Sequence, residues 1–295
     1  GSEMCIRDRV DGKKVKSKIL HLDEEWGESE LGDYPHFMLK EIHEQSQSLQ
    51  HCISGRLRHA EGTSALGGLQ IRPQDLSQLP HVRLIGCGTA LHAAQIGQIL
   101  VEQWARIPAV SHVASEFNAN DPVINPKALH LAISQSGETA DTLSAVKEIQ
   151  RKGADVYGIV NVVGSSIARQ CGKGVYIHSG PEQSVASTKA FTNMVGALAL
   201  FSLQLGRSRH LSKTKGKSIA REMRKVPEKI RSYLDNPGPI QTAVDLIIQS
   251  KSVLFLGRGI SSPVASEGAL KLMEIAYIPC LAYPAGEMKL SLIHI

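Results

Sequence analysis

Leu129-His130-Leu131-Ala132-Ile133-Ser134-Gln135-Ser136-Gly137-Glu138-Thr139 joins a short apolar run to a cluster of hydroxyls, and a helical pattern follows at once. The apolar run has the length of a buried strand. From Ala140 to Ile149 apolar residues recur at helical spacing, and Gly153 closes the segment. Between strand and helix lie three hydroxyls, one amide and a glycine. A helix N-terminus leaves backbone N–H groups unpaired and carries positive partial charge, so it favours an anion. Short hydroxyl side chains can cap such a helix or bond phosphate oxygens, and Gly137 permits close backbone approach. By spacing alone the stretch fits a phosphate cradle or an ordinary capped turn.

Around it strands and helices alternate. Strands are expected at 82–86, 109–114, 129–133, 156–163 and 174–178, with helices at 91–106, 140–152 and 188–205. This rhythm predicts an α/β fold, a parallel sheet with helices on both faces. Ligands in such sheets sit beyond the carboxyl ends of the strands, where Ser134 to Thr139 falls. Ahead of the first strand, Phe37, Met38, Ile42 and Leu49 predict an amphipathic helix. Shifting Gly86, Gly88, Ala94 and Gly97 by 171 positions gives Gly257, Gly259, Ala265 and Gly268. Both copies read as strand, G-x-G, helix, which suggests an internal repeat. The second copy is expected to stop after its first strand and helix, leaving an exposed apolar surface.

The chain has 295 residues, enough for one large or two modest domains. No apolar run approaches the ~20 residues of a membrane span, and no secretory signal is recognisable. Five cysteines, Cys5, Cys52, Cys87, Cys171 and Cys280, lack CxxC or metal-like spacing. A reduced, cytoplasmic protein without structural zinc is the expectation. The net charge of +5 is local: Arg207 to Arg231 holds ten Lys/Arg against Glu222 and Glu228. That segment lacks an aromatic residue to stack on a base, so a solvated helical connection is expected rather than a nucleic-acid site.

Three further groups of residues could carry chemistry. Gly86-Cys87-Gly88-Thr89 is a weak dinucleotide signal, since Leu91 stands where the third glycine belongs. Val185-Ala186-Ser187-Thr188 precedes a long helix, where Ser187 or Thr188 could serve as cap. Glu267, Lys271 and Glu274, at spacings of four and seven, share one helix face. That pattern fits a surface salt-bridge ladder, but Gly268, Ala269, Leu270 and Leu272 around it suit a buried helix.

The run SQSGETADTL from Ser134 resembles the signature of sugar isomerase (SIS) domains. More narrowly the chain resembles the family of isomerising glutamine–fructose-6-phosphate aminotransferases. HFMLKEIHEQ from His36, LIGCGTALHA from Leu84, ASEF from Ala114, SVASTKAF from Ser184 and EGALKLMEI from Glu267 match in the family's order. The resemblance implies a three-layer SIS domain at 35–210, a helical connection at 211–240 and an incomplete second copy at 241–290. Residues 10–34 would be the tail of a glutamine amidotransferase domain, with Trp26 and Tyr34 as aromatic anchors. Residues 1–9 and 291–295 look like translated adapter read-through from a truncated assembly, although Gly1-Ser2 equally suits a tag remnant.

The resemblance also implies roles. Cys87, Gly88, Thr89, Ser134, Gln135, Ser136, Thr139, Val185, Ala186 and Ser187 would contact the sugar phosphate. Ala90 stands where the family usually has serine. Glu274 would shuttle a proton between adjacent sugar carbons, Lys271 would assist at the C1 oxygen, and Glu267 would either take part or orient Lys271. One base that takes and returns a proton on the same face suits aldose–ketose interconversion. The parent enzyme would turn fructose 6-phosphate and glutamine into glucosamine 6-phosphate and glutamate, with no metal or organic cofactor, as a homodimer. Glutamine would be used only by the missing domain. Leu290 replaces the family's ring-opening histidine, and its Schiff-base lysine has no counterpart, so little or no turnover is expected of this chain. A phosphosugar-binding regulator and a related deglycase or ketose-phosphate isomerase are the alternatives.

Overall fold

The computed structural model describes residues 30–291. The expectations for 1–9, for most of 10–34 including Trp26, and for 292–295 lie outside the described residues. Helix α1 (Phe37–Ile53) leads to a two-strand hairpin, β1 (Leu57–Arg58) and β2 (Thr63–Ser64), a 3₁₀ turn (Gly67–Leu69) and the short α2 (Pro73–Ser77). There follow β3 (Val82–Gly86), α3 (Thr89–Ala105), β4 (Ala109–Val113), α4 (Ala114–Phe117), β5 (Leu129–Ser134) and α5 (Ala140–Arg151). Next come β6 (Val156–Val160), α6 (Ser166–Cys171), β7 (Gly174–Tyr176) and α7 (Lys189–Arg207). The chain continues with α8 (Lys213–Leu234), α9 (Gly238–Ile247), β8 (Val253–Gly257), α10 (Ser261–Ala276), β9 (Cys280–Pro284) and α11 (Ala285–Ser291).

Five strands form one parallel sheet in the order β4-β3-β5-β6-β7. One core, under α1, α3 and α7, holds Leu84, Leu131, Ile133, Met194, Leu198 and Phe201. The other, under α4, α5 and α6, holds Ile85, Ala132, Val146, Ile149 and Ile167. All six residues of β5 are buried, as its near-continuous apolar run requires in a sheet covered on both faces. The chain leaves β3 first to β4 on one side and then to β5 on the other. The crevice between the ends of β3 and β5 is therefore the topological switch point.

Two expectations need correction. Phe37, Met38 and Ile42 are only half-buried on α1, whose buried residues are Glu41, Ser46, Ser48, Leu49, Cys52 and Ile53. The reason lies opposite: α7 and the loop before it present Ser184, Lys189, Thr192 and Asn193, and α1 matches them with polar groups. Lys189 Nζ meets Glu44 Oε2 at 2.6 Å, Thr192 donates to Gln45 at 2.6 Å, and Asn193 donates to Ser48 O at 3.1 Å. The basic segment, read as a solvated connection, is helical but not fully solvated. Gly216, Ala220 and Pro227 of α8 are buried, and Ser46 Oγ donates to Pro227 O at 2.7 Å.

The repeat runs further than expected. Adding 171 carries β3 onto β8, β4 onto β9 and the start of α4 onto that of α11. Val82 pairs with Ala109 as Val253 pairs with Cys280. Arg106 after α3 and Tyr277 after α10, also 171 apart, both adopt left-handed backbone, at φ 57° and 56°. Leu254, Leu256 and Leu281 of the two-stranded β8–β9 sheet are exposed. Among the described residues no helix is long and apolar enough to cross a membrane.

His130 of β5 is fully buried and sits in register with Arg83 of β3. Burial lowers its pKa from 6.5 to about 4; a bond to Asn125 O opposes the shift, while Arg83, His81 and His112 add to it. The unfolded chain then binds the extra proton between these values, so stability rises with pH from about 4 to 6.5 and levels off above. The span is about 3 kcal/mol at most. Urea unfolding across this range should show that slope, and His130→Gln should flatten it by a comparable amount.

Candidate functional site at the switch point

The loop after β5 is built by its own hydroxyls. Ser134 Oγ accepts the Gly137 N–H at 3.0 Å and lies 3.1 Å from Thr139 Oγ1. Ser136 Oγ accepts the Glu138 N–H at 3.2 Å. Gly137 takes φ +68°, and a Cβ there would collide with the Ser165 hydroxyl. Its carbonyl accepts from Ile167 N at 2.9 Å, and Glu138 Oε1 accepts from Ser166 N at 2.7 Å at the start of α6. Thr139, the N-cap residue of α5, makes no side-chain cap bond. The first turn of α5 is thus left open toward the crevice, the condition for holding an anion.

Across the crevice, Gly88 precedes α3 without capping its first turn. Cys87 receives a long contact from Thr142 Oγ1 of α5 at 3.9 Å, tying the two sides together. Helix α10 lies on this corner. Glu267, 5% exposed, accepts from Thr89 Oγ1 at 2.9 Å and sits 2.6 Å from His92 Nδ1. Lys271 Nζ lies 3.4 Å from Glu267, 3.0 Å from Thr89 Oγ1 and 2.7 Å from Glu274. Five charged or polar side chains from two helices form one connected chain. Its outer end, Glu274, is the more exposed carboxylate. A buried acid so fully partnered suits an orienting part; a half-exposed acid beside an ammonium suits proton transfer at a bound ligand.

The third group is held differently. Glu182 caps α7, accepting from Thr188 N at 2.7 Å, Ala190 N at 3.2 Å and Ser187 Oγ at 2.9 Å. Thr188 occupies the N-cap position of α7, but its side chain makes no cap bond, and Glu182 supplies the acceptor in its place. Ala186 is buried and Val185 is exposed. Among the described residues no hydrogen bond joins 185–187 to the cradle directly. Asn161, directly after β6, instead ties the cradle loop to residues 179–180. Its N–H donates to Gln135 O at 3.3 Å, its Nδ2 to Gly180 O at 2.7 Å, and its Oδ1 accepts Ser179 N at 2.8 Å.

Asn161, Glu182 and His92 were not singled out in the sequence. Each left a faint signal: a lone amide ending an apolar strand, an acid shortly before a helix start, and an imidazole one turn beyond Thr89. Among the described residues no group of three or more His, Cys, Asp or Glu could hold a metal.

Fold and site together define an α/β domain with an open helix N-terminus at its switch point and an acid–base helix against it. A family model for the SIS domain matches residues 75–203 and 246–295. The chain belongs to the SIS domain family. It is 44% identical over 281 residues to a glutamine–fructose-6-phosphate aminotransferase (isomerising) of Thermus thermophilus, covering 95% of this chain and 46% of the relative. The corresponding protein of Bacteroides thetaiotaomicron is 41% identical over 290 residues, 98% of this chain and 47% of its own. The C-terminal domain of glucosamine-fructose-6-phosphate aminotransferase from Francisella tularensis superposes with TM-score 0.84 at 32% identity, covering 90% of this chain and 74% of that one. This chain is thus homologous to the isomerase part of that enzyme, and it spans about half the length of the curated relatives it matches.

Gly137→Ala should show how tightly the loop is fitted. A methyl group at positive φ, pressed on Ser165, should cost about 2–4 kcal/mol in a denaturant titration. Gly153→Ala, with φ +86° but open space around it, should cost about 1 kcal/mol.

Proposed function

We propose that this chain supplies the sugar-phosphate half of a glutamine–fructose-6-phosphate aminotransferase. Fructose 6-phosphate binds with its phosphate on the first turn of α5, met by Gln135, Ser136 and Thr139, while Ser134 acts mainly by shaping the loop. Gly88 and the backbone of Cys87 line the opposite wall, and Val185, Ala186 and Ser187 meet the sugar hydroxyls. In the whole enzyme, ammonia released from glutamine adds to the C2 carbonyl of the ketose and water leaves from C2, giving an imine. Glu274 then carries a proton between C1 and C2, and Lys271 steadies the charge on the C1 oxygen. Glu267 holds Lys271 and Thr89 in place. The same reading makes the protein a cytoplasmic homodimer.

One observation carries this reading beyond sugar-phosphate binding alone: the bonds that hold Lys271 and Glu274 at Thr89, directly beside the cradle crevice. A binding protein would need the cradle and not this pair.

Thermal unfolding with millimolar fructose 6-phosphate tests it. Binding to the native state alone raises the melting temperature. A rise is expected for the chain as it stands and for Glu274→Gln. Ser136→Ala should lose most of it. A cooperative transition unmoved by the sugar phosphate would refute the proposal.

A further inference from the structure

Glu41 of α1 is a carboxylate 2% exposed, far in sequence from the groups considered above. Its hydrogen bonds to Gln183 and Ser184 converge on one place. Its Oε1 accepts Gln183 N at 2.6 Å and Ser184 N at 3.2 Å, and its Oε2 accepts the Ser184 hydroxyl. That hydroxyl also lies 2.8 Å from Ala186 O. Glu41 therefore grips the two residues immediately before Val185-Ala186-Ser187, while Glu182 grips the residues from Ser187 onward. The segment between the grips has an exposed Val185 beside a fully buried Ala186, so its path is set at its ends. A buried carboxylate without such partners is strongly disfavoured, so the bonds and the burial require one another.

We propose that Glu41 is a positioning residue that sets the loop at 183–187 for recognition of the sugar hydroxyls, leaving phosphate recognition to the β5 loop. The proposal rests on the sugar-phosphate reading above. It makes α1 part of the substrate site without touching substrate, and it accounts for the buried carboxylate that α1 turns toward this loop. Among the described residues no hydrogen bond joins 183–187 to the cradle, and Asn161 ties the cradle loop to 179–180 instead, so disturbing Glu41 should move one end of the ligand site and spare the other.

Titration calorimetry with two probes, fructose 6-phosphate and inorganic phosphate, separates this role from general support of the fold. In Glu41→Ala the dissociation constant for fructose 6-phosphate should rise about tenfold, as for loss of bonds to a charged acceptor. That for inorganic phosphate should change less than about twofold. Glu41→Gln keeps an acceptor for the backbone N–H groups and should recover most of the loss; it and Ser184→Ala serve if the alanine variant does not fold. Amide exchange at Gln183 and Ser184 should quicken in the same order. Equal loss for both probes, or no loss with unchanged exchange, overturns the proposal. If the unsubstituted chain binds phosphate but not the sugar phosphate, the functional reading fails instead. The exchange measurement then still decides whether Glu41 sets the loop.

Discussion

The bond set around Glu267 is the constraint on which the site depends. A carboxylate almost wholly removed from water must be compensated, and here Thr89, His92 and Lys271 do so together. Two partners belong to α3 of the first repeat and the third to α10 of the second. Satisfying one buried charge therefore fixes how the second copy sits on the first sheet. It fixes this at the corner where β3 hands over to α3, the mouth of the switch-point crevice. Lys271 is held at both ends, by Glu267 and by Glu274, so its ammonium is placed before any ligand arrives. Groups fixed in advance need no reorganisation when charge develops, which is the chief advantage of such sites over water.

The cradle follows the same logic with backbone in place of charge. Ser134 and Ser136 spend hydroxyls on the Gly137 and Glu138 N–H groups, and Glu138 spends its carboxylate on α6. What remains open is the first turn of α5, where Thr139 makes no cap. The hydroxyl-rich loop thus acts first as scaffolding. A serine hydroxyl that accepts one of these N–H groups keeps its own O–H for a further bond, so shaping the loop and meeting a ligand are compatible roles.

What was legible in the sequence is what depends on local pattern. The strands at 82–86 and 129–133, the long apolar α7 and the glycine spacing of the repeat all follow from periodicity and turn chemistry. Less legible were features whose cause lies across the fold. Glu41, Glu44 and Ser48 look like the wet face of α1 until α7 supplies Ser184, Lys189 and Asn193 opposite them. Asn161 looks like the end of an apolar strand until its amide is found spanning two loops. No window along the chain contains both halves of such a pair. The SIS resemblance offered candidate site residues but could not say which hydroxyls bond one another.

The repeat explains why the acid–base helix was the hardest motif to judge. Subtracting 171 places Glu267, Lys271 and Glu274 at Ile96, Leu100 and Gln103 of α3. Ile96 and Leu100 are buried core residues there. The same helical slot, after the same strand and the same G-x-G turn, thus serves as apolar packing in one copy and as a charged cluster in the other. Small and apolar neighbours such as Gly268 and Ala269 remain in α10 because its backbone still packs closely on β8. A surface ladder would not need them, since solvated helices tolerate larger residues between their charges. Charged residues at positions whose repeat partners are core, flanked by residues suited to close packing, therefore mark a buried ionic cluster. That contrast within a single chain distinguishes the helix of a site from a solvated one, and it requires no alignment to other proteins.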